Sequence, residues 1–396
     1  MKLLSALALA ALAVSVAGPA SAEEPGITAT EIKIGQTMPY SGPISSYGSI
    51  GRAEAAYFAM INEQGGVNGR KIALLSRDDG YSPPKTVEQI RRLVENDGVA
   101  FFFQTLGDVT NAAVERYLND RHIPQLFVAD GSARWDDPKH FPWTMGWQPS
   151  YRTEGLVDAH YILQTKPDAH IGVLVQNSLG GKDGVTAFEE GLGAKKGMIV
   201  KELTYESTDA TIDTQIDLLQ SAGADVLIDY AVPKFAAQVI RRLHALDWHP
   251  LHILSSVSAS VSLTLEPAGL DNSVGIVSVG FLKDPNTPDW RDDPAVKDWR
   301  AWMDKYFPEG DKRDVANIYA YLAAQTMVQV LRQCGNDLSR ENVMRQAANL
   351  HDLALPLLLP GIRINTSPTD YRPVKQLQPM RFNGRNWELF GTMISG

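Results

Sequence analysis

From Glu31 onward, short apolar runs alternate with longer stretches in which apolar residues recur every three or four positions. That alternation is the mark of a parallel sheet built from βα units. EIKIGQ (31–36) predicts a strand and residues 50–64 a helix, with the glycines of EQGGVNGRK forming the turn out of it. KIALLSRDD (71–79) predicts the second strand. KTVEQIRRLVEN (85–96) predicts a helix with Val87, Ile90, Leu93 and Val94 on one stripe. A strand at 100–104, a helix at 108–121 and a strand at 123–128 complete a first doubly wound lobe. Within it FFFQTLGDVTN (101–111) passes from three phenylalanines to polar residues with no conventional turn. A run that does not alternate fits a parallel strand covered on both faces. QTLG is then the polar tip where the strand meets a helix N-terminus.

After PWTMGWQPSYRTEG (142–155) the pattern begins again. It runs helix, strand HIGVLVQN (170–177), helix from Lys182, strand MIVKELTY (198–205), helix 211–222, strand 224–230, helix 233–246 and strand LHILSS (251–256). This predicts a second lobe of the same kind, and the two share a phrase. VEQIRRLVENDGVAFFFQTLGD and DTQIDLLQSAGADVLIDYAVPK have the same order of amphipathic helix, glycine turn, apolar strand and polar tip. DPNTPDWRDDP (284–294) is a surface loop, because its prolines remove donors and fix φ. Helices at 294–307, 314–333 and 339–350, then strand-like runs in 362–391, predict a return to the first lobe and afterwards to the second. The expected division is 23–146 with 282–355 in lobe 1, and 147–281 with 356–396 in lobe 2.

A length of 396 residues exceeds one ordinary core and agrees with two domains. MKLLSALALAALAVSVAGPASA has a single positive charge at Lys2, an apolar run from Leu3 to Val16 and a small-x-small site ending at Ala22. Residues 1–22 therefore read as a cleaved secretory signal peptide, since the apolar run is short of the about 20 residues that span a bilayer. No cysteine near the cleavage site could carry a lipid, and no later segment is apolar enough to cross a membrane. The formal charge of −9 argues against nucleic acid, which wants a basic face. Cys334, alone of its kind, cannot form an internal disulfide and reads as a small buried apolar residue.

Catalytic constellations are missing. There is no G-x-S-x-G, and Gly48-Ser49-Ile50-Gly51 has the wrong spacing. LGGKDG (179–184) lacks the Ser/Thr of a phosphate loop, having Asp183 instead, and position 176 is Gln. His244, His249 and His252 have no metal-ligand spacing and read as surface or capping residues. No catalytic residue, metal or cofactor is assigned. What the sequence does place is polar tips. In open α/β sheets, ligands bind outside the carboxyl ends of the strands, near helix N-termini. In lobe 1 these tips are Met38 to Gly42 leading to Tyr47, Gln104-Thr105-Leu106-Gly107, and Ala129-Asp130-Gly131-Ser132. In lobe 2 they are Gln176-Asn177-Ser178, Tyr230-Ala231-Val232 and Ser255-Ser256-Val257. Each alone also fits helix capping. Six facing one another form a cleft.

TEIKIGQTMPYSGPISSYG, INEQGGVNGRKI, RDDGYSPPKTVEQIRRLVENDGV and LLLPGIRINTSPTDYRPVKQLQPMRF together resemble the periplasmic binding proteins of branched-chain amino-acid ABC transporters. The resemblance covers essentially the whole mature chain. It implies an α/β, type I periplasmic binding fold: two doubly wound parallel-sheet lobes with three hinge crossings. Such a protein works in the periplasm as a monomer, closes on one small-molecule solute and delivers it to a membrane permease. Carried over by position, contacts to the ligand's polar end fall on Thr105, Leu106, Ala129, Gly131 and Ser132. Tyr47 matches an aromatic lining the side-chain subsite, and Tyr151 lies by the hinge. Gln104, Asn177 and Tyr230 are the adjoining tip candidates.

Three positions depart from the family's amino-acid binders. Gly180 stands where they have an aromatic, and Val257 where they place a glutamate for the ligand's ammonium. A buried ammonium without a counter-charge costs several kcal/mol, so leucine, isoleucine or valine is not the expected guest. Asp130 occupies a usually neutral place. It either pairs outward with Arg134, which suits an aromatic or aliphatic carboxylate, or faces the cleft and prefers an amide or amine. The expected function is an ABC importer's binding component for a small carboxylate or amino-acid-like solute. The alternative is a periplasmic sensor for amides or amino acids on the same fold. Thr105→Ala is expected to weaken binding without unfolding the chain.

Overall fold

The computed structural model describes residues 24–395, so the leader expected at 1–22 lies outside the described residues. The first lobe is laid down by β1 (Glu31–Met38), α1 (Gly48–Glu63), β2 (Lys71–Asp78), α2 (Pro83–Glu95), β3 (Phe101–Phe103), α3 (Asp108–Asp120), β4 (Gln125–Val128) and β5 (Thr144–Gly146). Its five strands are parallel in the order β2-β1-β3-β4-β5. Phe101 and Phe103 enter one core, where Phe103 meets Phe58 edge-on at 5.5 Å. Phe102 enters the opposite core with Ile90, Leu93, Val114 and Leu118. Both faces are thus covered, which is why the three phenylalanines do not alternate with polar residues.

The second lobe follows with α4 (Tyr151–Thr165), β6 (Ile171–Gln176), α5 (Leu179–Leu192), β7 (Ile199–Tyr205), α6 (Asp213–Ser221), β8 (Val226–Tyr230), α7 (Pro233–Ala245), β9 (Leu251–Leu254), a single turn α8 (Glu266–Ala268) and β10 (Val277–Gly280). α5 starts ahead of the expected Lys182 because Ser178 caps it, its Oγ accepting from Gly181 N at 3.1 Å. LGGKDG is therefore the first turn and a half of a helix. The short strands β5 and β10 were not anticipated, and His252 corrects the surface reading of the histidines. It is buried on β9, with Nε2 3.0 Å from Asp229 Oδ2.

The chain then returns. α9 (Pro294–Tyr306), α10 (Val315–Cys334) and α11 (Arg340–Ala347) pack on the first lobe through Trp299, Met303, Leu322, Met327 and Val343. Cys334 is buried at the end of α10, and burial pushes its thiol up to about 12. Leu357, Leu358, Leu359, Ile362, Ile364, Tyr371 and Val374 also belong to this first core. The crossing expected at 355/356 therefore lies later, between Val374 and the start of β11 (Gln376–Phe382). Polar turns such as SPTDYRP hid the fact that the apolar positions between them face lobe 1.

With β12 (Trp387–Leu389) and β13 (Ile394–Ser395), the second sheet reads β12-β11-β10-β9-β8-β6-β7, with β13 on β11. Its strands are parallel as far as β10, whereas β11 and β12 are antiparallel additions. Three strands of chain thus join the lobes. Beside the second crossing, Leu359 N donates to Phe281 O and Lys283 N to Leu357 O, each at 2.9 Å. Among the described residues, no helix is long and apolar enough to cross a membrane.

Candidate functional site

The carboxyl ends of β1, β3 and β4 face those of β6, β8 and β9. At the tip of β3 the chain turns through Gln104 (φ 51°) and Gly107 (φ 103°), while Phe127 on β4 is also left-handed (φ 58°). Pairing continues past the strands: Leu106 bridges Ala129, and Gly107 N reaches Ala129 O at 3.3 Å. Only glycine serves at 107, because a Cβ there would lie 2.4 Å from the Tyr81 ring. The two tips form one floor, and α3 springs directly from it.

Above that floor lie two adjoining cavities. The smaller, of about 60 Å³, is walled by Asp108, Asp130, Glu154, Gln176 and the rings of Tyr81, Tyr151 and Tyr230. The larger, of about 140 Å³, is mainly apolar, with Ile44, Ile50, Leu106, Leu263 and Phe281 beside Tyr47 and Tyr319. Tyr81, Asp130, Tyr151, Val232 and Val257 border both. Among the described residues, neither cavity is lined by a lysine or arginine.

Asp130 faces the cleft. Its Oδ1 accepts from Ser132 N at 2.8 Å and Trp135 Nε1 at 2.7 Å, and its Oδ2 accepts from Tyr151 OH at 3.1 Å. The outward pairing with Arg134 does not form, because that guanidinium is taken by the buried Glu115 of α3. Burial, with Asp108 adding repulsion, pushes the Asp130 carboxyl up to about 7. Asp108, the first residue of α3, reaches across the lobes and accepts from Gly180 N at 2.7 Å. Burial raises its carboxyl too. Glu154 on α4 accepts from Ser256 N and Ser256 Oγ, both at 2.7 Å, and Asp158 accepts from Tyr230 OH at 2.8 Å. Burial raises both of these acids as well.

Further bonds join the lobes directly. Tyr47 OH donates to Val257 O at 2.7 Å, Gln176 Nε2 to Tyr81 OH at 3.2 Å, and Ser260 Oγ to Asp314 Oδ1 at 3.2 Å. Asp183 accepts from Ser132 Oγ at 2.6 Å and Ala133 N at 2.9 Å. The cleft is closed.

Of the residues picked from sequence, Tyr47, Leu106, Ala129, Asp130, Tyr151, Gly180, Tyr230 and Val257 line the cavities. Five do not. Gln104 points into the floor, its Nε2 donating to Phe127 O. Thr105 is fully buried, with Oγ1 accepting from Gln125 Nε2 at 3.0 Å and its carbonyl from Asn111 Nδ2 at 3.0 Å. Gly131 lies behind Tyr151, where a Cβ would stand 2.7 Å from that ring. Ser132 is spent on Asp183, and Asn177 is exposed and bonded to Glu206 at 2.6 Å. Asp108, Glu154 and Tyr81 were missed. An acid in a helix's first turn reads as dipole compensation, and nothing local separates that from a site.

Two of the departures acquire a cause. A Cβ at Gly180 would lie 2.9 Å from the Tyr151 ring, so Tyr151 fills the space of the absent aromatic. At the second, Glu154 brings a carboxyl to the same cavity wall as Val257, held at the neighbouring Ser256.

Residues 31–386 match the model of the family described as "Periplasmic binding protein". Leu/Ile/Val-binding protein homolog 3 of Brucella melitensis is 25% identical over 371 residues, 89% of either chain. The fold is shared with a branched-chain amino acid ABC transporter structure from Thermus thermophilus with bound valine (TM-score 0.82, 18% identity, 93% of this chain and 98% of that one). It is shared also with a fatty acid ABC transporter substrate-binding protein from Thermomonospora curvata (TM-score 0.75, 18% identity, 94% of both). These relatives are substrate-binding proteins of transporters rather than enzymes, and with a family match spanning both lobes the chain belongs to the extracytoplasmic periplasmic binding protein family.

Proposed function

We propose that this protein is the solute-binding component of an ABC importer, and that it closes its lobes over one small organic solute held in the interlobe cleft. The observation that carries the reading is that each cavity has walls from both lobes: Asp108 and Asp130 oppose Glu154 and Gly180, and Tyr47 opposes Val257. A guest there touches both lobes only when they are closed, so it stabilises that state by its differential affinity. The larger cavity takes an apolar body and the smaller a polar end. No bond is made or broken, and a permease receives the solute. Both walls come from one chain, so a monomer suffices.

Tyr47, Leu106, Ala129, Asp130, Tyr151, Gly180, Tyr230 and Val257, joined by Asp108, Glu154 and Tyr81, are the contacts we assign. X-ray scattering with and without a solute that raises the melting temperature tests closure. The expected result is an unliganded ensemble that is more extended and compacts on saturation. Identical scattering profiles would show that binding and closure are not linked.

A further inference from the structure

Four backbone donors around this cleft are already occupied by the protein's own acids. Asp108 takes Gly180 N, Glu154 takes Ser256 N and Oγ, Asp183 takes Ala133 N and Ser132 Oγ, and Asp130 takes Ser132 N and Trp135 Nε1. Helix N-termini that would ordinarily hold an incoming anion are filled from within. In the smaller cavity, acceptor capacity is left at Asp108. Asp108 is 3% exposed, lines the smaller cavity, and leaves its Oδ1 with no hydrogen-bond partner. A buried carboxylate oxygen in that state lacks a donor.

We infer that the solute is an organic cation, a protonated amine on an apolar body, with its ammonium in the smaller cavity between Asp108, Asp130 and Glu154 and its body in the larger one. This deepens the solute-binding reading and rests on it. Arg134, whose charge reaches Asp108 only through space, is ion-paired with Glu115, and among the described residues no lysine or arginine lines either cavity. Tyr81, Tyr151 and Tyr230 line the same space, and aromatic rings beside a cation favour it. Among the described residues, no three acidic, histidine or cysteine side chains converge as a metal ion would need, which turns the assignment to an organic cation. The adjoining apolar walls, Ile44, Ile50, Leu263 and Phe281, give such a guest somewhere to bury its hydrocarbon.

The test uses the mature chain and two matched sets, one on a phenyl body and one on a branched aliphatic body. Each set contains the amine, the carboxylate, the neutral amide and the corresponding amino acid. Calorimetry and thermal shift at pH 8 are expected to show the amines binding at least tenfold tighter than the other members. Asp108→Asn keeps an acceptor for Gly180 N and removes the charge, and should lower amine affinity by tenfold or more. Glu154→Gln provides an independent reading if the first variant does not fold. A carboxylate or amino acid binding as tightly as the amine overturns the cation assignment, and so does an amide of equal affinity or the failure of every amine at millimolar concentration. Scattering separates this from the underlying reading: a carboxylate that binds and compacts the protein removes the cation and leaves the solute-binding cleft standing.

Discussion

Replacing Asp130 by asparagine isolates the cost of keeping one ionised carboxylate in the closed cleft. The amide oxygen can still accept from Ser132 N and Trp135 Nε1, so the tip of β4 should hold its shape. Only the charge and the Tyr151 contact change. The carboxyl is raised from 3.8 to about 7, with burial the larger cause and Asp108 the next. Tyr47, Tyr81 and Tyr151 also face this region. Because the folded value is the higher one, the contribution to stability is complete below the unfolded value and disappears as pH rises through about 7. Between pH 5 and pH 8 the lost proton affinity spans about two units, which at about 1.4 kcal/mol each is about 2–3 kcal/mol. For lobes that melt as one unit, with about 2.1 cal/mol/K per residue of unfolding entropy, that is roughly 3–4 °C. Urea denaturation of the unliganded protein at four values from pH 5 to pH 8 measures it. The parent should lose that much more stability over the window than Asp130→Asn. Stability curves that run parallel for the two proteins would refute the claim that the unliganded protein keeps Asp130 buried as the closed form does.

Thr105→Ala should lower stability by about 1 kcal/mol through the lost Gln125 contact and leave solute affinity within about twofold; a large loss of affinity in a stable variant would put Thr105 back in the cleft. Tyr47→Phe removes the donor to Val257 O and should weaken the unliganded closed form by about 0.5–1.5 kcal/mol, seen as a larger radius of gyration without solute and an unchanged one with it. An unliganded radius equal to the parent's would show that this contact does not hold the lobes. The thiol of Cys334, buried and raised, should be inert to Ellman's reagent in the native protein and react fully in denaturant. Rapid native labelling would contradict its place at the end of α10.

Periodicity made the layered architecture legible, because a buried parallel strand such as FFF and an amphipathic helix such as KTVEQIRRLVEN leave patterns that no loop imitates. β5 and β10, at three and four residues, are too short to leave one. At the site, apolar and aromatic contacts were readable and hydroxyls and amides were not. Thr105 and Gln104 are polar for the sake of the floor's own hydrogen bonds, and a strand end gives both uses the same composition. The acids were harder. Whether Asp130 meets Arg134 depends on Glu115, which sits on another helix and competes for the same guanidinium. The proximity of Glu154 to Ser256 spans about a hundred residues of chain, and local sequence carries no trace of it.

The late return of the chain has a consequence for how the molecule is made. The first lobe needs residues through Val374 to close its core, and the second needs β11, which begins at Gln376, to complete its sheet. Both lobes therefore stay unfinished until synthesis has passed Val374, and no single cut in the hinge yields two self-contained halves. Neither half of the clamp can mature on its own.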